Sequence, residues 1–210
     1  MIEDILRSVL GLPPGVGKIN RDLASMRALT TPIAQRIIPW EEEKELELMS
    51  LNLDHKTQKK GMDKFIVGQI KSIYFEPMVA FAYKEYLKGS REALLYCRTS
   101  QKELVFRIKK RTVDVYLNSG QVAVINQNSE MYGLKSKTVL GQVKRYSGDL
   151  LSVNVKGQDA GHLFNPLSPH SSVQRAFYLI KKLDPEEQGI FLALGLYELL
   201  TRIIVKRKKK

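Results

Sequence analysis

The stretch Asp184–Lys210, DPEEQGIFLALGLYELLTRIIVKRKKK, restricts the possible folds of this chain more than any other. Asp184 is a good N-cap, Pro185 suits the first helical position, and Glu186 and Glu187 sit at the positive end of the helix dipole. From Ile190 to Val205 the segment is apolar nearly all round, so it must be enclosed by protein or by lipid. A membrane-spanning helix needs roughly twenty apolar residues. Here Glu198, Thr201 and Arg202 interrupt the run, and each charge at the bilayer centre costs about 2.5–3.5 kcal/mol. Glu198 and Arg202 are spaced i,i+4 and can pair, but the uninterrupted part, Ile190–Tyr197, is too short to span. A helix lying in the interface would need a wide basic face. This one has only the narrow line Phe191, Gly195, Glu198 and Arg202. The helix is therefore expected inside the protein, with Gly189, Ala193 and Gly195 admitting close neighbours.

The preceding residues supply a host. From about residue 45 to 183 the apolar period is two. Leu46, Leu48, Leu51 and Leu53 alternate with polar residues, with one extra residue at Met49–Ser50 that predicts a bulge. Phe65, Val67 and Ile70 follow, then the doubly apolar run PMVAFAYKEY (77–86). Strands are also predicted in REALLYCRT (91–99), KELVFRIKK (102–110) and TVDVYLNSGQVAVINQ (112–127), the last turning at Asn118-Ser119-Gly120. YGLKSKTVLGQVKRY (132–146), LLSVNVKG (150–157), AGHLFNP (160–166) and AFYLIKK (176–182) complete the series. Short, evenly spaced strands with polar turns predict an antiparallel meander curled shut to remove its edges. A barrel of this size encloses more volume than its own side chains fill. The predicted fold is mainly β: a closed antiparallel barrel of about twelve strands with the hydrophobic C-terminal helix through its centre.

Residues 1–40 read as a helical arm in front of this domain, which spans 41–210. Ile2, Ile5, Leu6, Val9 and Leu10 recur at helical spacing until GLPPG (11–15) stops them. A second run, Leu23, Met26, Leu29, Ile33 and Ile37, predicts another helix, with a break and restart at Thr31-Pro32. Glu3, Asp4 and Arg7 leave no secretory h-region, and Cys97 is the only cysteine. A reducing, cytosolic compartment is expected, with no disulfide and no cysteine-based zinc site.

A closed β-barrel ending in a hydrophobic central helix resembles the tubby C-terminal superfamily, which includes the phospholipid scramblases and LURP-one-related proteins. The residues carrying the likeness are VFRIKKRTVDVYLNSGQVAVI (105–125), the glycine-bearing strand VLGQVKRY (139–146) and LDPEEQGIFLALGLYELL (183–200). The resemblance implies binding of anionic phospholipid by basic residues on the barrel surface. Scramblases also carry a cysteine cluster, a calcium-binding acidic segment and a proline-rich N-terminal region. This chain has Cys97 alone, and only Asp184, Glu186 and Glu187 before its helix, so lipid translocation is not implied.

No catalytic pattern is found. LPPGVGKIN (12–20) lacks the first glycine and the final hydroxyl of a phosphate loop and reads as a Pro/Gly linker. His55, His162 and His170 are scattered, and HLFNPLSPHSS (162–172) sets no base against Ser168 or Ser171. Neither a cofactor nor a metal is expected, and the protein is read as a non-enzyme. The net charge is +12, of which Lys206–Lys210 account for five. Such a surface attracts anionic membrane or nucleic acid. The candidate lipid-binding bases are Lys109, Lys110, Arg111, Lys135, Lys137, Lys144, Arg145, Lys206, Arg207 and Lys208. Peripheral association with the inner face of a membrane is the leading expectation. A scaffold docking a protein partner through the helical arm is the alternative, and nucleic-acid binding the weaker third.

Overall fold

The computed structural model describes residues 13–40, 45–86, 92–168 and 175–207, without the side chains of 145–147 and 205–207. The period-two segments form twelve strands: β1 (Met49–Lys60), β2 (Asp63–Ser72), β3 (Pro77–Glu85), β4 (Ala93–Arg98), β5 (Glu103–Ile108) and β6 (Val113–Leu117), then β7 (Gly120–Ile125), β8 (Glu130–Gly133), β9 (Val139–Ser147), β10 (Leu150–Val155), β11 (Gln158–Phe164) and β12 (Phe177–Leu179). They form one antiparallel sheet in chain order. The sheet is a nearly closed barrel. At the seam Ser50 bridges Arg175, the Ala176 amide donates to the Met49 carbonyl at 2.7 Å, and the Leu179 amide donates to Glu47 Oε1 at 2.9 Å. The expected bulge is present, as a register shift between Met49 and Leu53. Leu46–Leu48, expected to extend β1, is instead a 3-10 turn, which frees Glu47 to cap the seam. The expected single strand over 132–146 is two, β8 and β9, folded at a turn in which Lys137 has φ of 52°.

The C-terminal helix α2 (Pro185–Arg207) has 23 residues and is about 35 Å long at 1.5 Å per residue. It starts with a capping box: the Glu187 amide donates to Asp184 Oδ1 at 2.8 Å, and the Asp184 amide to Glu187 Oε2 at 3.1 Å. Phe191, Leu192, Leu194, Leu196, Leu199, Leu200 and Ile204 are all buried, although they point in every direction around the helix. The strands around it are far apart in sequence. Tyr197 stacks on Phe106 of β5 with centroids 5.7 Å apart, and Phe191 meets Phe177 of β12 edge-on at 5.6 Å. Close approach rests on glycines of both partners. A Cβ at Gly141 in β9 would lie 2.8 Å from Leu194 and 2.9 Å from Ile190, and one at Gly195 would lie 2.6 Å from the Phe177 ring. A Cβ at Gly161 in β11 would strike the Tyr178 carbonyl oxygen. Gly189, expected to serve the same purpose, has nothing within 4 Å of such a Cβ.

Helix α1 (Val16–Ala34) lies outside the barrel against β2, β3 and β4. Met26 packs there on Phe65, Val67, Ala82, Leu94, Tyr96 and Val105, forming a second core on the outer face of the sheet. This second core explains the doubly apolar run 77–86, since β3 is buried on its inner face by the barrel core and on its outer face by α1. Two details differ from expectation. Val16–Asn20 is the first turn of α1 and not a linker, and the helix runs through Pro32 without restarting. Pro32 has no N–H to donate to the Ala28 carbonyl, and the helix ends two residues after it. The helix expected at Ile2–Leu10 lies outside the described residues.

The glycine interlock is open to a test of sign. Gly141→Ala and Gly161→Ala should each lower stability by about 1–3 kcal/mol through overpacking. Gly189→Ala should raise it by about 0.5–1 kcal/mol, because it adds helix propensity in open space. Urea unfolding midpoints measure all three.

Candidate functional site

In an up-and-down barrel, alternate turns lie at opposite ends. The turns β1–β2, β5–β6, β7–β8 and β9–β10 share one end, here called the upper rim, and β2–β3, β4–β5, β8–β9 and β10–β11 share the lower. Helix α2 enters from below. Glu186 in its first turn pairs with Lys156 of the β10–β11 turn at 2.5 Å, and Glu198 accepts from Ser129 of the β7–β8 turn at 2.6 Å. Its C-terminal end therefore emerges at the upper rim.

This polarity divides the candidate bases. Lys109, Lys110 and Arg111 occupy the β5–β6 turn, closed by a 2.8 Å bond from the Lys109 amide to the Thr112 carbonyl. Lys144 and Arg145 lie toward the upper end of β9. Lys206 and Arg207 are the last described residues of α2, while Lys208 lies outside the described residues. Lys135 and Lys137, by contrast, are in the β8–β9 turn at the lower rim, away from the others. The upper group is joined by bases that sequence reasoning did not select: Lys59, Lys60 and Lys64, exposed at the β1–β2 turn. The signal was available in KTQKKGMDK (56–64), where a glycine between basic residues marks a hairpin tip.

The upper bases differ in what neutralises them. Lys109 is taken by buried Asp114 at 2.5 Å. Lys110 and Arg111 are exposed and make no ion pair with an acid among the described residues, while exposed Lys144 lies close enough to Glu130 for its charge to act on that carboxyl. The acids nearby are already engaged. Asp63 receives Lys84 at 2.7 Å and Lys18 at 3.4 Å, and Glu198 holds Arg202 at 2.7 Å. Glu130 accepts from Asn126 and Tyr132, both at 2.7 Å, and from Gln142 at 3.0 Å. The bonds from Tyr132 and Asn126, together with the charge of Lys144, hold its carboxyl below the usual range.

Two ionic clusters fasten α1 to the wall. Lys84 of β3 is only 4% exposed and binds Asp22 of α1, itself 2% exposed, at 2.7 Å. Its ammonium also stands 5.0 Å over the Phe65 ring. Lower down, Arg27 grips Glu103 through Nε and Nη2, and the Tyr96 hydroxyl donates to the same carboxylate at 3.1 Å. Burial pushes the Asp63 and Glu103 carboxyls up, but their cationic partners outweigh it and hold both below the ordinary range.

A cavity of about 430 Å³ between α1 and the β4–β5 turn is lined by Arg27, Tyr96, Arg98 and Glu103, which are engaged with one another. Cys97 is buried, which pushes its thiol up and away from reactivity. Ser168 donates to Asp149, and His170 and Ser171 lie outside the described residues. No group of three or more His, Cys, Asp or Glu among the described residues is arranged to hold a metal, and no described helix is long and apolar enough to cross a membrane. No protein-family model, curated protein or solved structure matches the chain.

The two clusters predict an acid-sensitive arm. With folded pKa values below the unfolded ones, about 3.9 for Asp and 4.3 for Glu, the unfolded chain binds more protons near pH 4. The stabilisation is complete above about pH 5 and is lost as pH falls through the depressed folded values. Urea midpoints should drop between pH 5 and pH 3, and Glu103→Gln should show a smaller drop from a lower plateau. The single tryptophan, Trp40, is buried beside α1 with its indole N–H donating to the Met78 carbonyl at 3.2 Å, so its fluorescence reports the same change. Separately, Lys84→Met leaves buried Asp22 with only the longer 3.8 Å contact to Lys18 and should cost about 3 kcal/mol. Adding Asp22→Asn should recover part of that loss in the same unfolding assay.

Proposed function

We propose that this protein is a non-enzymatic module that binds anionic phospholipid at a membrane surface, with the upper rim of the barrel as its contact. The observation that carries this reading is the gathering at one end of exposed bases that make no ion pair among the described residues, Lys59, Lys60, Lys64, Lys110 and Arg111, with exposed Lys144 beside Glu130. At about 1 kcal/mol per base near an anionic surface, four to six suffice for reversible peripheral binding. Binding rests on this charged rim because α2, the most hydrophobic segment, is consumed by the barrel. Single-stranded nucleic acid is the less favoured ligand. It needs aromatic platforms among the bases, and no described turn of the upper rim exposes an aromatic side chain. Membership of the tubby C-terminal superfamily is part of the same proposal, supported by an antiparallel twelve-strand barrel around a C-terminal helix. The inner face of a membrane, rich in anionic lipid, is the surface this reading expects.

Co-sedimentation with vesicles is the test. Vesicles containing phosphatidylserine should retain the protein, increasingly as salt is lowered, and neutral vesicles should not. Lys110→Ala with Arg111→Ala should weaken retention about 10–30-fold, and Lys135→Ala with Lys137→Ala at the other rim should change it little. Equal recovery on neutral and anionic vesicles would sink the proposal.

A further inference from the structure

We propose that the β1–β2 turn is the part of the barrel that enters the bilayer, with Met62 as the inserted side chain and Lys59, Lys60 and Lys64 around it at the level of the lipid phosphates. This rests on the anionic-lipid reading above and adds the point and depth of contact. The strands beneath the turn are the longest adjoining pair in the sheet, with 12 and 10 residues. Pairing continues to Lys60 opposite Asp63, which leaves only Gly61 and Met62 to make the turn. Gly61 has φ of 61°, and a Cβ added there would meet nothing within 4 Å. The tip therefore stands clear of the fold.

Met62 is 94% exposed, the most exposed large apolar side chain among the described residues and the only one on a described turn of the upper rim. Isolated exposed hydrophobic residues are ordinary. What sets Met62 apart is its surroundings. Three exposed lysines flank it, and the single acid of the turn, Asp63, is drawn away from them by Lys84 and Lys18. Lysine stems can lie along an apolar surface with their ammonium groups in the headgroup layer, while an unbranched thioether adapts to lipid chains. The same Asp63 ties the base of the turn to the buried Lys84–Asp22 pair, so the tip is held in place before it meets a surface. An anionic bilayer satisfies both halves of this arrangement: its phosphates match the lysines and its interior matches Met62.

An environment-sensitive fluorophore on Met62→Cys tests the assignment in the full chain, since Cys97 is buried and stays unlabelled. A second probe at exposed Ser136→Cys reads the lower rim. With phosphatidylcholine vesicles containing phosphatidylserine, the position-62 probe should shift to the blue and the position-136 probe should not. Met62→Asp should weaken vesicle binding by at least about tenfold. If the protein binds while the position-62 probe stays aqueous and Met62→Asp binds like the parent, the insertion is wrong and the lipid reading stands. A blue shift at 136 alone overturns the assignment in favour of the other rim. Absence of binding to either vesicle type removes both proposals.

Discussion

A helix without a polar face can stay inside a β-barrel only if the wall meets it on every side, and here glycines on both partners make the fit. Gly141 and Gly161 clear space on the wall for Leu194, Ile190 and Phe191, while Gly195 clears space on α2 for Phe177. Side-chain-free positions bring backbone and ring close enough for dispersion contacts to be made without voids. The nearly closed seam between β1 and β12 then follows, because Phe177 must remain against Phe191 for the wall to surround the helix.

Filling the barrel with α2 decides where the remaining chemistry can be. Along the barrel axis the side chains of α2 are buried against the wall, and Glu198 on the helix is engaged by Ser129 and Arg202. The outer wall over β2–β4 is covered by α1 and its ionic clusters. At the upper rim Asp63 and Asp114 are held by structural partners while Lys59, Lys60, Lys64, Lys110 and Arg111 are exposed; at the lower rim Lys156 and Lys181 pair with Glu186 and Glu187 while Lys135 and Lys137 are exposed.

Much of the architecture was legible in the residues. The capping box at Asp184, the i,i+4 pair Glu198–Arg202, the turn at Asn118–Ser119 and the bulge near Met49 all appear where local pattern placed them. The failures share one cause, which is that tertiary partners outweighed local preference. Leu46–Leu48 has strand alternation but became a 3-10 turn because Glu47 is needed at the seam. Val16–Asn20 resembles a linker but is helical, because Ile19 packs on the outer wall and Lys18 reaches Asp63. The split of β8 from β9 turns on Lys137 at positive φ, a position that no glycine or asparagine signals.

For the candidate interface, the sequence by itself determined that the chain is basic, that its last helix is buried and that its strands form a meander. Those properties depend on composition and short-range periodicity, which can be read one segment at a time. Only the tertiary structure decided which bases act together. Lys110 and Lys135 look equivalent along the chain, yet the alternation of strand directions sends them to opposite ends of the barrel. It also decided which acids are available to neutralise them, because Asp63 is claimed by Lys84 on the neighbouring strand and Asp114 by Lys109 across a turn. Charge is additive along a sequence, but the potential at a surface depends on where folding puts each charge and what it is paired with.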